Sequence, residues 1–222
     1  MIILGCRGLD LKRTIFPLTA FMLIFLCGCS IIRFFPVDSR ILLVDDFSQP
    51  KNGWNVWKSE SGSAVSYYEG GLVFIINIPN FDIISSPDGI YPDARIEVLG
   101  TKLVGPDNNV LGVICRYQDE KNYYGFLISS DGYYGILKVM DGNYKILNSV
   151  NMEFSEIIKK GSEMNHIRAD CKGPSLVLSV NGARLAETVD NDFSSGKVGL
   201  IVGSYKETGI ALLFDNFMVL KP

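Results

Sequence analysis

The stretch Asn122–Val139 reads NYYGFLISSDGYYGILKV. Four tyrosines, a phenylalanine and a run of aliphatics surround a single Asp131-Gly132. Asx-Gly supplies the positive φ angles of a two-residue type I′ turn, so the stretch predicts a β-hairpin. Counted outward from that turn, Ser130 faces Tyr133, Ile128 faces Gly135, Phe126 faces Leu137 and Tyr124 faces Val139. These residues share one face, apolar enough for a core. The other face carries Tyr123, Gly125, Leu127, Ser129, Tyr134, Ile136 and Lys138. Its mix of rings, small residues and a cation predicts a second, partly exposed surface. One residue of slip would exchange the two faces.

The same rhythm extends in both directions. Short β-like runs separated by turn signals continue from Ile41 to the end. The candidate strands are ILLVDDF, SAVSYYE, GLVFIIN, ARIEVLGTKL, VLGVICRYQ, YYGFLIS, YYGILKVM, YKILNSV, HIRADCK, SLVLSV, ARLAETV, KVGLIVGS and IALLFDNFMVL. Asp141-Gly142 and Asn181-Gly182 mark two further two-residue hairpins. Only SEIIKK, 155–160, reads as a helical turn. The fold class expected is all-β, a two-sheet antiparallel jelly-roll sandwich spanning 41–222 as one domain.

The first residues differ. Arg7, Lys12 and Arg13 precede the apolar run IFPLTAFMLIFL, a basic n-region before a short h-region. The run is shorter than the roughly 20 residues a bilayer-spanning helix needs, although the flanking residues through Ile32 would lengthen it into an uncleaved anchor. The sequence LCGC, 26–29, resembles the lipobox of bacterial lipoproteins. That resemblance implies a signal peptide over 1–28 and a diacylglyceryl group on Cys29. It also implies a short tether through residue 40 and a place in the cell envelope on the extracytoplasmic side. The alternative is a plain signal peptide or anchor. Removing Arg7, Lys12, Arg13 and Asp10 leaves 18 of 21 basic and 23 of 24 acidic residues, a net charge of −5. An acidic domain without a basic run is a poor partner for nucleic acid.

Five cysteines are present. Cys6 and Cys27 fall in the leader and Cys29 at the lipidation position. Cys115 and Cys171 remain, and an even pair in an exported domain suggests a disulfide. Two buried free thiols are the alternative.

The pattern DDFSQPKNGW, CRYQDEKNYYGFLISSDGYYGILKV, NHIRADCKGPSLVLSVNGARLAE, DNDFSSGKVGLIVGS and FDNFMVL resembles the concanavalin A-like jelly rolls of bacterial extracytoplasmic proteins. Laminin-G-like and keto-disaccharide-hydrolase-like branches belong to this group. The likeness covers about Asp45–Leu220. It implies the fold and leaves the activity open, because members are variously lectin-like, enzymatic or unassigned.

Glycosidases need two carboxylates about the scissile bond, and related jelly rolls carry them as Glu-x-Asp-x-x-Glu. No such motif occurs; Asp93 and Glu97 come nearest and read as a solvated strand face. His166 is the single histidine, without a nucleophile elbow. No zinc-ligand spacing or phosphate loop is present. Asp45, Asp46 and Asp215, at the ends of the terminal strands, are candidates for a structural calcium or for simple strand-end capping. Sugars are held by ring faces together with amides and charged groups. Arg116, Tyr117, Asn122, Tyr123, Tyr134 and Lys138 are the candidates for that role. Trp54 reads as a core plug. The function expected is a non-catalytic binding or adhesion module for a glycan ligand, with a hydrolase or an envelope scaffold as alternatives. The sequence leaves the oligomeric state open.

Overall fold

Apolar residues that recur at every second position need one face buried, and a pair of stacked sheets supplies it. The computed structural model describes residues 39–222. The leader, Cys29 and nearly all of the tether lie outside the described residues. Those described contain sixteen strands and no helix. In chain order they are β1 (Ile41–Asp45), β2 (Trp57–Lys58), β3 (Ala64–Tyr68), β4 (Gly71–Ile76), β5 (Asp82–Ser85), β6 (Ala94–Val104), β7 (Asn109–Asp119) and β8 (Asn122–Ile128). There follow β9 (Tyr133–Met140), β10 (Asn143–Ile146), β11 (Glu153–Phe154), β12 (Asn165–Lys172), β13 (Ser175–Val180), β14 (Ala183–Val189), β15 (Lys197–Ser204) and β16 (Ile210–Leu220).

Two antiparallel sheets form a jelly-roll sandwich. The nine-stranded sheet runs β14-β13-β12-β6-β16-β4-β3-β2, with β1 also on β16. The seven-stranded sheet runs β10-β9-β8-β7-β15-β5, with β11 also on β9. Every candidate strand forms. Strands β2, β5 and β11, two to four residues long, were not expected. SEIIKK makes a turn closed by Ile158 N–H on Ser155 O, with no helix.

The main core lies between the sheets. Phe74 and Phe214 meet edge to face at 5.4 Å, and Trp54 packs the same way on Phe47 and Phe217. Trp54 is the expected core plug. Its indole N–H donates to the fully buried Asp45 carboxylate at 2.9 Å. Cys115 on β7 and Cys171 on β12 are bonded, joining one sheet to the other through the core.

The turns Asp141-Gly142 and Asn181-Gly182 adopt the positive φ angles of type I′ and set two-residue hairpins, as expected. The Asp131-Gly132 hairpin differs. Only Gly132 has positive φ, and its N–H bonds Ser129 O, which makes a three-residue loop closed by Ser129 and Tyr133. Tyr124 therefore pairs with Lys138, Phe126 with Ile136 and Ile128 with Tyr134. The expected register is one residue out, and the slip turns β9 over. Ile136, with Tyr134 beside it, belongs to the main core. Leu137 and Val139 lie on the far side of the sheet.

Candidate functional site

The two sheets bury their residues differently. Strands β6, β12 and β13 alternate strictly between buried and half-exposed positions, as sheets with one wet face do. Strands β7, β8 and β15 are buried at nearly every position. Their sequences VLGVIC, GFLI and VGLIVG are correspondingly continuous in apolar residues. The outer face of the seven-stranded sheet carries a second apolar layer: Val110, Ile114, Tyr123, Leu127, Leu137, Val139 and Ile201.

The chain around β10 covers that layer. Between β10 and β11, both on the free edge of β9, residues 147–152 leave the sheet. Leu147 N–H on Ile136 O and the Asn148 side chain on Ile136 N–H hold the strap's base. Ile146 and Met152 fold onto Gly135, where an added Cβ would lie 3.3 Å from both. Two contacts then cross the face. Tyr144 Oη donates to Asp82 Oδ2 at 3.2 Å, and Tyr205 Oη points to Met152 Sδ at 3.9 Å.

Between strap and sheet lies a groove of 1180 Å³. Val110, Leu127, Leu137 and Ile201 form its floor. Tyr133, Tyr144 and Tyr205, 42%, 60% and 40% exposed, stand at its sides. Asn80, Asp82, Asn108 and Asp131 add acceptors and amides. Asp82 lies over β15 where Gly203 has no side chain; a Cβ there would be 2.4 Å from Asp82 Oδ1. Burial pushes the Asp82 carboxyl above its ordinary range, against the pull of the Tyr144 hydrogen bond. The Tyr205 phenol is raised by burial and then by the charges of Asp82 and Asp131. Burial, then Tyr144 and Asp82, raise the Tyr123 phenol.

The residues singled out from sequence do not converge. Tyr123 faces the expected side but is 1% exposed, packed under Tyr117 at 5.9 Å between ring centroids. The register slip turns Tyr134 and Lys138 inward. Tyr134 packs on the main core, and Lys138 pairs with Asp190 and Asp192. Arg116, 2% exposed, spans the sandwich end by donating to the carbonyls of Pro92, Phe193 and Gly173. Asn122 ties two turns together through Asp119 and the Asp141 N–H. Arg116, Asn122 and Lys138 have their polar groups engaged within the chain, Tyr123 is buried, and none of the six lines the groove.

Asp45, Asp46 and Asp215 likewise stand apart. Asp45 accepts from Phe47 N–H, Asn52 and Trp54. Asp46 accepts from Ser48 and Lys51, bonds that hold its carboxyl down at about 2. Asp215 accepts from Asn216 N–H. Asp45 and Asp46 make these contacts at the end of β1, whereas Asp215, expected at a strand end, lies within β16 beside a bulge. Among the described residues no group of three or more His, Cys, Asp or Glu is arranged to hold a metal ion. Asp93 and Glu97 also stand apart: Asp93 pairs with Arg116, and Glu97 Oε2 lies 3.2 Å from His166 Nε2.

The groove residues that sequence reading missed sit at unmarked places. Asp82 opens a four-residue strand between proline-bearing loops. Tyr205 follows β15, and Tyr144 sits in an ordinary alternating run. The available signal was the unbroken apolar character of β7, β8 and β15, which implies that something covers their outer face.

No family model matches the chain, and no curated protein matches it. Solved structures do. The carbohydrate-binding module CBM66 from Bacillus subtilis is similar with a TM-score of 0.61 at 15% identity, covering 77% of this chain and 96% of that one. A Bacillus licheniformis β-glucanase gives 0.59 at 12% identity, over 81% of this chain and 97% of that one. The GH43 protein BlXynB from Bacillus licheniformis gives 0.58 at 16%, over 81% of this chain but 39% of that one. At such identities the likeness is one of fold. It places the chain among jelly-roll sandwiches of the kind found in carbohydrate-binding modules and glycoside hydrolases.

Proposed function

We propose that this is a lipid-anchored extracytoplasmic binding protein that holds a glycan in the groove over its seven-stranded sheet. The observation that carries the reading is the groove itself. Three tyrosines with exposed ring area stand around a concavity rimmed by amides and carboxylates. Sugars ask for that combination, because they have apolar faces and hydroxylated rims. The fold shared with CBM66 supports it. The LCGC sequence behind a basic and apolar leader supports the anchor, with Cys29 as the modified residue and the cell envelope as the location.

A glycan array probed with the full chain in mild detergent tests the binding. Tyr144→Ala and Tyr205→Ala should each weaken any hit at least tenfold, about 1.4 kcal/mol. A blank array, or hits indifferent to both changes, ends the reading. Mass spectrometry tests the anchor, and an unmodified Cys29 or an intact leader ends that part.

A hydrolase is the second reading, favoured by the presence of Asp82 and Asp131 in one groove. Asp82 on β5 lies over Gly203 of β15, and Asp131 is bonded to Ser129 at the end of β8, two strands beyond β15. Glycosidases hold their two carboxylates roughly 5–9.5 Å apart, the separation this reading requires of Asp82 and Asp131. New reducing ends released from an array hit would reverse the preference.

A further inference from the structure

This inference rests on the groove reading above and names the ligand class: we infer that the groove takes a glycan bearing a protonated amine, with Asp82 as the amine's counter-ion.

Asp82 is the starting point. Its Oδ2 accepts one hydrogen bond, from Tyr144. No described residue donates to Oδ1, and no described cation pairs with the carboxylate. Yet the position is built for a carboxylate. Gly203 leaves bare backbone beneath Oδ1, and any side chain there would strike it at 2.4 Å. A carboxylate can accept about four hydrogen bonds. One that is partly withdrawn from water and lacks a cation is a cost to the fold. Raising its proton affinity by burial is the sign of that cost. A bound ammonium would offset it.

The surroundings fit the same guest. Asp131 provides a second negative charge in the groove. Lys145 is the one cation among the described lining residues, and it forms no ion pair with either carboxylate. The rings of Tyr133, Tyr144 and Tyr205 stand about the same space, and ring faces attract ammonium groups as well as sugar faces. A neutral sugar would use the rings and hydroxyl acceptors but leave Asp82 unneutralised. A uronate or phosphate-bearing glycan would meet two carboxylates on a chain already at formal net charge −3.

The test compares glucosamine oligomers with N-acetylglucosamine oligomers and oligogalacturonate of equal length, by calorimetry on the full chain in mild detergent at pH 7. The amine form should bind about tenfold tighter than the acetylated form, the size of one well-placed charge pair. Asp82→Asn should bring the ratio close to one. Acetylating the ligand leaves the protein untouched, so the comparison holds even where the variant folds poorly. Equal or weaker binding of the amine form overturns the inference, as does a preference that survives Asp82→Asn. In those cases glycan binding itself still stands. If no oligomer of any class binds here or on the array, the groove reading falls and the inference with it.

Discussion

Tyr144 and Asp82 stand on strands at opposite edges of the seven-stranded sheet, yet the phenol donates to the carboxylate at 3.2 Å. Five strand spacings, about 24 Å on a flat sheet, separate β10 from β5. The contact exists because the sheet curls and the chain about β10 leans over its outer face. That one hydrogen bond ties strap to wall and defines the groove's closed side.

Tyr144→Phe should preserve the ring and lose the bond. With the phenol gone, stability should fall by about 0.5–1.5 kcal/mol, the net worth of such a bond. Tyr144→Ala should in addition abolish ring contact with a bound sugar, a loss of about 1–2 kcal/mol in affinity. Urea titrations and calorimetry on the two variants separate the effects.

Asp82→Asn should stabilise the protein at pH 7. Burial raises the carboxyl in the folded state, so folding favours its protonated form. The resulting cost is absent below the unfolded value, about 3.9, and complete once pH has passed the folded value. The gain from the amide should therefore vanish below about pH 3. Urea midpoints at pH 7 and pH 3 that shift equally would show that ionisation is not the cause.

Lys138→Ala should destabilise without touching the ligand. The ammonium pairs with Asp190 and Asp192, and Asp190 also accepts from Tyr124 Oη. Removing the cation leaves these carboxylates facing one another near the core. A loss of about 2–3 kcal/mol is expected, less than the roughly 3–5 kcal/mol of a fully buried pair. Affinity for any array hit should stay within twofold of the parent. A large affinity change with intact stability would put Lys138 back in the binding site.

The Cys115–Cys171 bond joins the two sheets across 56 residues of sequence. On the chain-entropy model it contributes roughly 4 kcal/mol. Adding reductant to a urea titration should lower the midpoint accordingly. Alkylation of both Cys115 and Cys171 in the unreduced, denatured protein would contradict the bond.

Fold and site were unequally legible in the sequence. The strands were readable because alternation and Asx-Gly turns act locally, within one hairpin. The groove was not, because it joins Asp82, Tyr144 and Tyr205 from segments that pair with different partners. The error at Asp131-Gly132 shows how little separates the two outcomes. A loop of three residues in place of two moved Tyr134 and Lys138 from the surface to the interior. The burial of Tyr123 was hidden for another reason: its side was correctly expected, but nothing local tells that Tyr117 packs on it. The bonds of Arg116 were not legible because its partners, Pro92, Gly173 and Phe193, are all distant in the chain.

The unequal burial of the two sheets sets how each will tolerate change over time. Outward positions on the nine-stranded sheet, such as Arg168 and Ser179, touch mainly water and neighbouring charges, so they can drift. Ile114, Leu127 and Ile201 have no such freedom, since both sides of their sheet are occupied. A saturation library sorted for folded protein should therefore come out lopsided, permissive across one layer and restrictive across the other.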